Sequence, residues 1–222
     1  MKIFLFDLGK TLLDNFHIDL ENGISSAFVD PIDVDVMREL KQAYLSRTLT
    51  EIRVSDVLKE LVKTYQPKRE SIDELEYLVL LNSEIDHLLD NVEPLLALMA
   101  KKGYYLAVVS NSTFSGKALK RRLAELGIAK YFQFVLSSAD TISRKPDAQI
   151  FQKALNLIPN KSSSDEIYYV GNDYELDIVG SSKVGMKPIW FNQLHLLDSL
   201  HLAYLNIDNY QSFIKMIQNN EL

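Results

Sequence analysis

The chain has 222 residues, 47% of them hydrophobic, a formal net charge of -6 and no cysteine. That length admits one sizeable α/β domain or a domain with an insert, and the missing cysteines exclude disulfides, thiol catalysis and zinc–thiolate sites. Negative charge argues against broad nucleic-acid binding, which needs a basic surface to displace phosphate counterions. No apolar stretch nears the roughly 20 residues that span a bilayer, and Asp7 interrupts the first apolar run too early for a signal peptide. The expectation is a cytoplasmic protein with no membrane or nucleic-acid partner; its oligomeric state is left open.

Lys2 to Phe6 reads as a buried strand. After it, Val34, Met37, Leu40 and Tyr44 share one helical face, and Val54, Val57, Leu58, Leu61 and Tyr65 share another that Pro67 ends. Ser71-Ile72-Asp73-Glu74 is a capping box before an apolar run through Leu81. Residues 16–90 therefore read as an inserted all-helical domain, since a structureless loop of that length is improbable. Residues 1–15 and 91–222 form the core, with Asp90 to Pro94 as the return linker and hinges near Asn15 and Asn91. A helix over Leu95 to Lys102 follows, closed by Gly103.

The rest alternates strand and helix. Strands are expected at 104–109, 133–136, 166–170 and 188–191, with an edge strand at 203–207. Helices are expected at 115–126, stopped by Gly127, at 147–157 and from Asn209 to Ile217. Such alternation implies a Rossmann-like α/β fold, a parallel sheet with helices on both faces.

Gly9-Lys10-Thr11 matches the end of a nucleotide-binding P-loop. That motif needs a glycine five residues earlier, where Phe4 stands inside a strand, so the phosphate-wrapping turn cannot form. In a parallel sheet, ligands sit beyond the carboxyl ends of the strands. Asp7 follows the first strand, Ser110 and Asn111 the second, Lys145-Pro146 the third, and Gly171-Asn172-Asp173 with Asp177 the fourth. Each has a bland reading: Ser110 to Ser112 as a helix cap, Lys145 as a solvated charge, Asp173 and Asp177 as acids at a helix start. Together, in order, they permit phosphoryl transfer. A carboxylate can attack phosphorus. Lys145 and a Mg²⁺ held by carboxylates and carbonyls can neutralise the phosphate. Ser110 and the Asn111 N–H can bind its oxygens.

Here the chain resembles the haloacid dehalogenase (HAD) superfamily of hydrolases. "FDLGKTLLD", "VVSNS", "SRKPDAQIF" and "YVGNDYELDIVGSSKVGM" are similar to its four motifs, and the helical insert lies where the family's first type of cap domain belongs. The resemblance implies a Mg²⁺-dependent hydrolase with Asp7 as nucleophile and metal ligand and the Gly9 carbonyl as a second ligand. Ser110, Asn111 and Lys145 would hold the phosphoryl group of a small phosphorylated substrate, with Thr11 and Lys10 nearby. An acid of the fourth motif would complete the metal shell.

Two departures matter. Phosphatases of the family carry an acid/base Asp two residues after the nucleophile, where this chain has Gly9. In the fourth motif, Asn172 stands where the metal-binding Asp is expected, with Asp173 next and Asp177 four residues further. Asn172, Asp173 and Asp177 all stay open as ligands. Three functions follow: a phosphatase working through an aspartyl-phosphate, another reaction on the same Asp (dehalogenation, or phosphonate hydrolysis through a cap lysine such as Lys41, Lys59 or Lys63), or a catalytically weak binding or regulatory protein. His17, at the start of the insert, could face the site, but the bland reading, a surface-loop histidine, is favoured.

Overall fold

The structure, a computed structural model, describes residues 1–14, 19–48, 50–83 and 86–222. Asn15, the 15/16 domain boundary and His17 lie outside these residues. The chain runs β1 (Lys2–Phe6), β2 (Leu13–Asp14), α1 (Leu20–Ser26), α2 (Val34–Ser46), α3 (Val54–Leu61), α4 (Ile72–Ser83) and β3 (His87–Leu88). Next come α5 (Val92–Lys101), β4 (Tyr105–Ser110), α6 (Gly116–Glu125), β5 (Val135–Ser137), α7 (Ser138–Thr141) and α8 (Ala148–Asn156). It closes with β6 (Glu166–Gly171), a π-helical turn (Tyr174–Val179), α9 (Gly180–Ser182), β7 (Lys187–Phe191), β8 (Leu205–Ile207) and α10 (Tyr210–Gln218).

Six parallel strands form one sheet in the order β5-β4-β1-β6-β7-β8. The central strand β1 is buried on both faces, which is why it reads as an unbroken apolar run. Its side chains alternate: Phe4 and Phe6 pack with α5, α6 and α10, while Ile3 and Leu5 pack with α8. Helices cover both faces, as expected.

The four helices α1–α4 are inserted between β2 and β3, which pair antiparallel with each other. Their apolar side chains, among them Phe28, Leu58 and Leu75, join the same buried cluster as Phe4 and Phe6. α4 is also tied to α6. Glu76 accepts hydrogen bonds of 2.7 Å from both the N–H and the hydroxyl of Ser115, and Lys117 and Arg121 pair with Asp73 and Glu74. No helix among the described residues is long and apolar enough to cross a membrane.

Two expectations need correction. The return linker is shorter than Asp90 to Pro94, because α5 begins at Val92, after Asn91 in the left-handed region at φ 64°. Pro94 sits in its first turn, where a missing N–H is harmless. Helix α1 shows no sequence signal, since its Asn22, Gly23, Ser25 and Ser26 are poor helix formers. Packing against α4 holds it instead. A Cβ at Gly23 would lie 1.8 Å from the Ser83 hydroxyl oxygen and 2.7 Å from the Val79 carbonyl oxygen.

Gly23→Ala tests that contact. In an open helix the change would stabilise by about 1 kcal/mol. Here the clash with α4 backbone should reverse the sign and cost about 1–3 kcal/mol, read as a lower urea midpoint at unchanged slope.

Candidate active site

The loops that follow β1, β4, β5 and β6 converge at the carboxyl end of the sheet around a cavity of about 290 Å³. Asp7 stands one residue past β1 and is only 7% exposed. Its N–H donates to the Val170 carbonyl at 2.8 Å, so the β1–β6 ladder itself fixes where the carboxylate emerges.

Lys145 is the centre of the site. Its ammonium donates to Asp7 Oδ1 and Asp177 Oδ1, both at 2.6 Å, and to the Tyr169 hydroxyl at 3.0 Å. Tyr169 passes its own proton to the Val109 carbonyl at 2.8 Å. All three ammonium donors are used. Burial works against the charge, but the carboxylates of Asp177 and Asp7 outweigh it and hold the Lys145 pKa well above its ordinary value. Burial pushes the Asp177 carboxyl the other way, up to about 7, against the pull of Lys145.

The Asn111 amide positions the lysine. Its Oδ1 accepts from the Lys145 N–H at 2.8 Å and its Nδ2 donates to the Lys145 carbonyl at 3.0 Å. One donor of the Asn111 amide stays unused by these two bonds, and the residue lines the cavity. Ser110 ends β4 in the cavity wall. The capping reading of Ser110 to Ser112 does not hold, because Ser115 caps α6.

Asn172 and Asp173 separate clearly. The Thr11 hydroxyl lies 3.4 Å from Asp7 Oδ2 and 3.3 Å from Asn172 Oδ1. It has one proton and cannot serve both, so the two oxygens converge as acceptors on a single donor. Trp190 steadies this end by donating to the Asn172 carbonyl at 2.9 Å. Asp173 is exposed and caps the π-helical turn, accepting from the Leu176 N–H at 2.9 Å, which is its bland reading. Both oxygens of Asp177 are engaged, one by Lys145 and one by the Asp173 N–H at 2.9 Å. A Cβ at Gly171 would come within 2.4 Å of Asp177, so a glycine is needed there.

The structure does not place every expected residue in the wall. Thr11 is fully buried beneath Asp7 and outside the cavity lining. Lys10 is in the wall, exposed, at φ 55°. Lys41, Lys59 and Lys63 line no part of it and pair with Glu21, Asp56 and Glu60. Two wall residues went unread in the sequence as site residues: Tyr44, which looked like helix core, and Arg47, just past the end of α2. Neither position carries a motif.

The donor set suits a hard cation. Among the described residues no three His, Cys, Asp or Glu form a cage. Mg²⁺ asks for less: one or two carboxylates, neutral oxygens, waters and substrate phosphate. Asp7 Oδ2 and Asn172 Oδ1 are such oxygens, with Gly9 in the wall beside them.

A carboxylate beyond the central strand of a parallel sheet, paired with a buried lysine, is the arrangement of a carboxylate nucleophile held beside a fixed cation. Residues 4–191 match the haloacid dehalogenase-like hydrolase family, and the chain belongs to it. It is similar to the glyceraldehyde 3-phosphate phosphatase of Pyrococcus furiosus, 27% identical over 206 residues that cover 86% of this chain and 80% of that one. The fold is shared with a 2-haloacid dehalogenase from Pseudomonas syringae pv. tomato (TM-score 0.68, 23% identity, 99% of both chains). It is shared too with a HAD-hydrolase, YfnB from Bacillus subtilis, described bound to magnesium (TM-score 0.59, 18% identity, 97% and 98% of the two chains).

The raised Asp177 pKa sets a pH dependence. Between the unfolded value near 4 and the folded value of about 7, the native chain holds a proton that the unfolded chain has released. Asp177 thus takes stability away as pH rises through that window, by up to about 1.4 kcal/mol per pH unit. Asp177→Asn removes this contribution. Urea titrations without metal from pH 4.5 to 7 should show the variant gaining on the natural protein as pH rises.

Proposed function

We propose that the chain is a Mg²⁺-dependent phosphatase of small phosphorylated metabolites that works through an aspartyl-phosphate on Asp7. The observation that carries this reading is the buried Asp7–Lys145–Asp177 cluster at the mouth of the sheet. The P. furiosus relative, named a phosphatase, supports it.

In this reading residues 16–90 are a helical cap over a core of 1–15 and 91–222. Its support is that Tyr44 and Arg47 of the insert line the same cavity as Asp7 and Lys145. A phosphoryl group enters between Asp7, Ser110, the Asn111 N–H and Lys145. The Asp7 carboxylate attacks phosphorus, the bond to the leaving oxygen breaks, and the departing group takes its electron pair. Water then cleaves the acyl phosphate, freeing phosphate and restoring Asp7. Lys145 stabilises charge on the transferring group while keeping Asp7 oriented. Asp7, the Gly9 carbonyl and Asn172 would hold Mg²⁺, which supplies the positive charge that lets a phosphate dianion approach a carboxylate. Both oxygens of Asp177 and one of Asp173 are engaged elsewhere, while Asn172 Oδ1 converges with Asp7 on Thr11, which favours Asn172 among the three. A cytoplasmic setting belongs to the same reading.

The alternatives gain less. The lysines a phosphonate hydrolase would use stand outside the cavity. The dehalogenase likeness is one of fold.

Two outcomes are expected. Asp7→Asn should lose at least about 10³-fold in turnover of p-nitrophenyl phosphate, and omission of Mg²⁺ should silence the natural protein. Because Gly9 offers no acid to the leaving oxygen, rates should depend steeply on leaving-group pKa. Acetyl phosphate and p-nitrophenyl phosphate should outpace glycerol phosphate, and Gly9→Asp should flatten the plot of log kcat/KM, a proton donor being worth about 10²–10⁴-fold. A flat plot for the natural protein would refute the leaving-group argument.

A further inference from the structure

We propose that Arg47 reads a second anionic group on the substrate, so that the protein acts on small phosphorylated acids rather than on phosphates of neutral metabolites. The inference rests on the phosphatase reading and narrows it.

Position comes first. Among the described residues of the insert, only Tyr44 and Arg47 reach the cavity that holds Asp7 and Lys145. The far end of that cavity is already committed: Lys145 spends its three donors on Asp7, Asp177 and Tyr169. A second anion on the same molecule therefore needs another cation, and Arg47 lines the same cavity.

Arg47 is also pre-set. Its guanidinium carbon Cζ lies over the Tyr44 ring, 3.3 Å from the centroid, and Nη1 donates to the Tyr44 carbonyl. Its Nε sits 3.2 Å from Glu51 Oε1, and the side chain is only 16% exposed. A planar fork held in this way loses little freedom on binding a carboxylate or phosphate, and it can engage either through two donors.

The charge count then favours an anion. Glu51 is buried and shared: Arg144 pairs with its other oxygen, and the Ser138 hydroxyl donates to that oxygen at 2.5 Å. Two guanidinium groups on one carboxylate leave one positive charge over. Burial, with the repulsion of Arg47, lowers the Arg144 pKa in spite of Glu51. The Arg144 Nε is buried without a hydrogen-bond partner among the described residues, and the Arg47 Nε has only its ion pair with Glu51. The small volume, about 290 Å³, keeps the two anions of a ligand within one short molecule.

The competing role for Arg47 is a pin that only fastens the insert through Glu51. Substrate selectivity separates the two, because a pin acts on every substrate alike. The test compares 3-phosphoglycerate with glyceraldehyde 3-phosphate, which differ in a carboxylate against an aldehyde, and fructose 1,6-bisphosphate with fructose 6-phosphate for a second phosphate. Natural protein, Arg47→Gln, Arg47→Lys and Lys10→Met are assayed with Mg²⁺, alongside p-nitrophenyl phosphate. The natural protein should favour the acid over the aldehyde by about 10–100-fold in kcat/KM, as charge-assisted hydrogen bonds allow. Arg47→Gln should bring that ratio towards one, mainly through KM, Arg47→Lys should restore part of it, and Lys10→Met should keep it. A larger gain in the bisphosphate pair would assign the second anion to phosphate, and a larger gain in the acid pair to carboxylate; either supports the proposal. Turnover of p-nitrophenyl phosphate with no preference for the second anion overturns it while leaving the phosphatase reading intact. Equal losses on both members of a pair in Arg47→Gln, or loss of the preference in Lys10→Met instead, also overturn it. No turnover of any phosphoester overturns both.

Discussion

Lys145 brings a positive charge to a place where burial by itself would strip it. Only 3% of the residue is exposed, and two carboxylates at 2.6 Å keep it charged. Removing one partner of such a buried pair costs about 3–5 kcal/mol, because the other is left uncompensated. The geometry of the site follows from meeting that requirement. β1 delivers Asp7, the π-helical turn after β6 delivers Asp177, and Asn111 grips the lysine backbone on both sides. With both carboxylates ionised, the cluster carries one negative charge in excess.

The insert is joined to this centre by polar contacts as well as by its apolar core. Glu76 on α4 serves the start of α6, and Glu51 joins the end of α2 to Arg144, the neighbour of Lys145. The Glu51 N–H also donates to the Ile142 carbonyl at 2.7 Å. α2 itself buries no residue fully, although it presents Tyr44 to the cavity. The insert therefore has a firmly seated half, α3 and α4, and a lightly packed helix that carries a wall of the site.

Most of the core was legible because its signals are local. The apolar run of β1, the alternation of strand and helix, and stops such as Gly127 depend on neighbours in sequence, and the strands came within two residues of their observed ends. The misses have physical causes. α1 is a helix of poor formers that exists because Gly23 lets it press on α4, a contact about 60 residues distant. The early start of α5 depends on Asn91 adopting a left-handed conformation, which no pattern of apolar residues records.

For the site, the sequence by itself determined which residues arrive at the carboxyl end of the sheet, since the segments that follow parallel strands all emerge there. Asp7, Ser110, Lys145 and the Asn172 to Asp177 loop were placed by that rule. Only the tertiary structure decided how their atoms are used. It turned Asp173 into a cap and Asn172 towards Asp7, engaged both oxygens of Asp177, and buried Thr11 beneath the nucleophile. It also brought Arg47 from the insert into the wall of the same cavity as a lysine about 100 residues later. Side-chain direction and charge pairing are set by contacts between distant segments, and spacing along the chain holds no record of them.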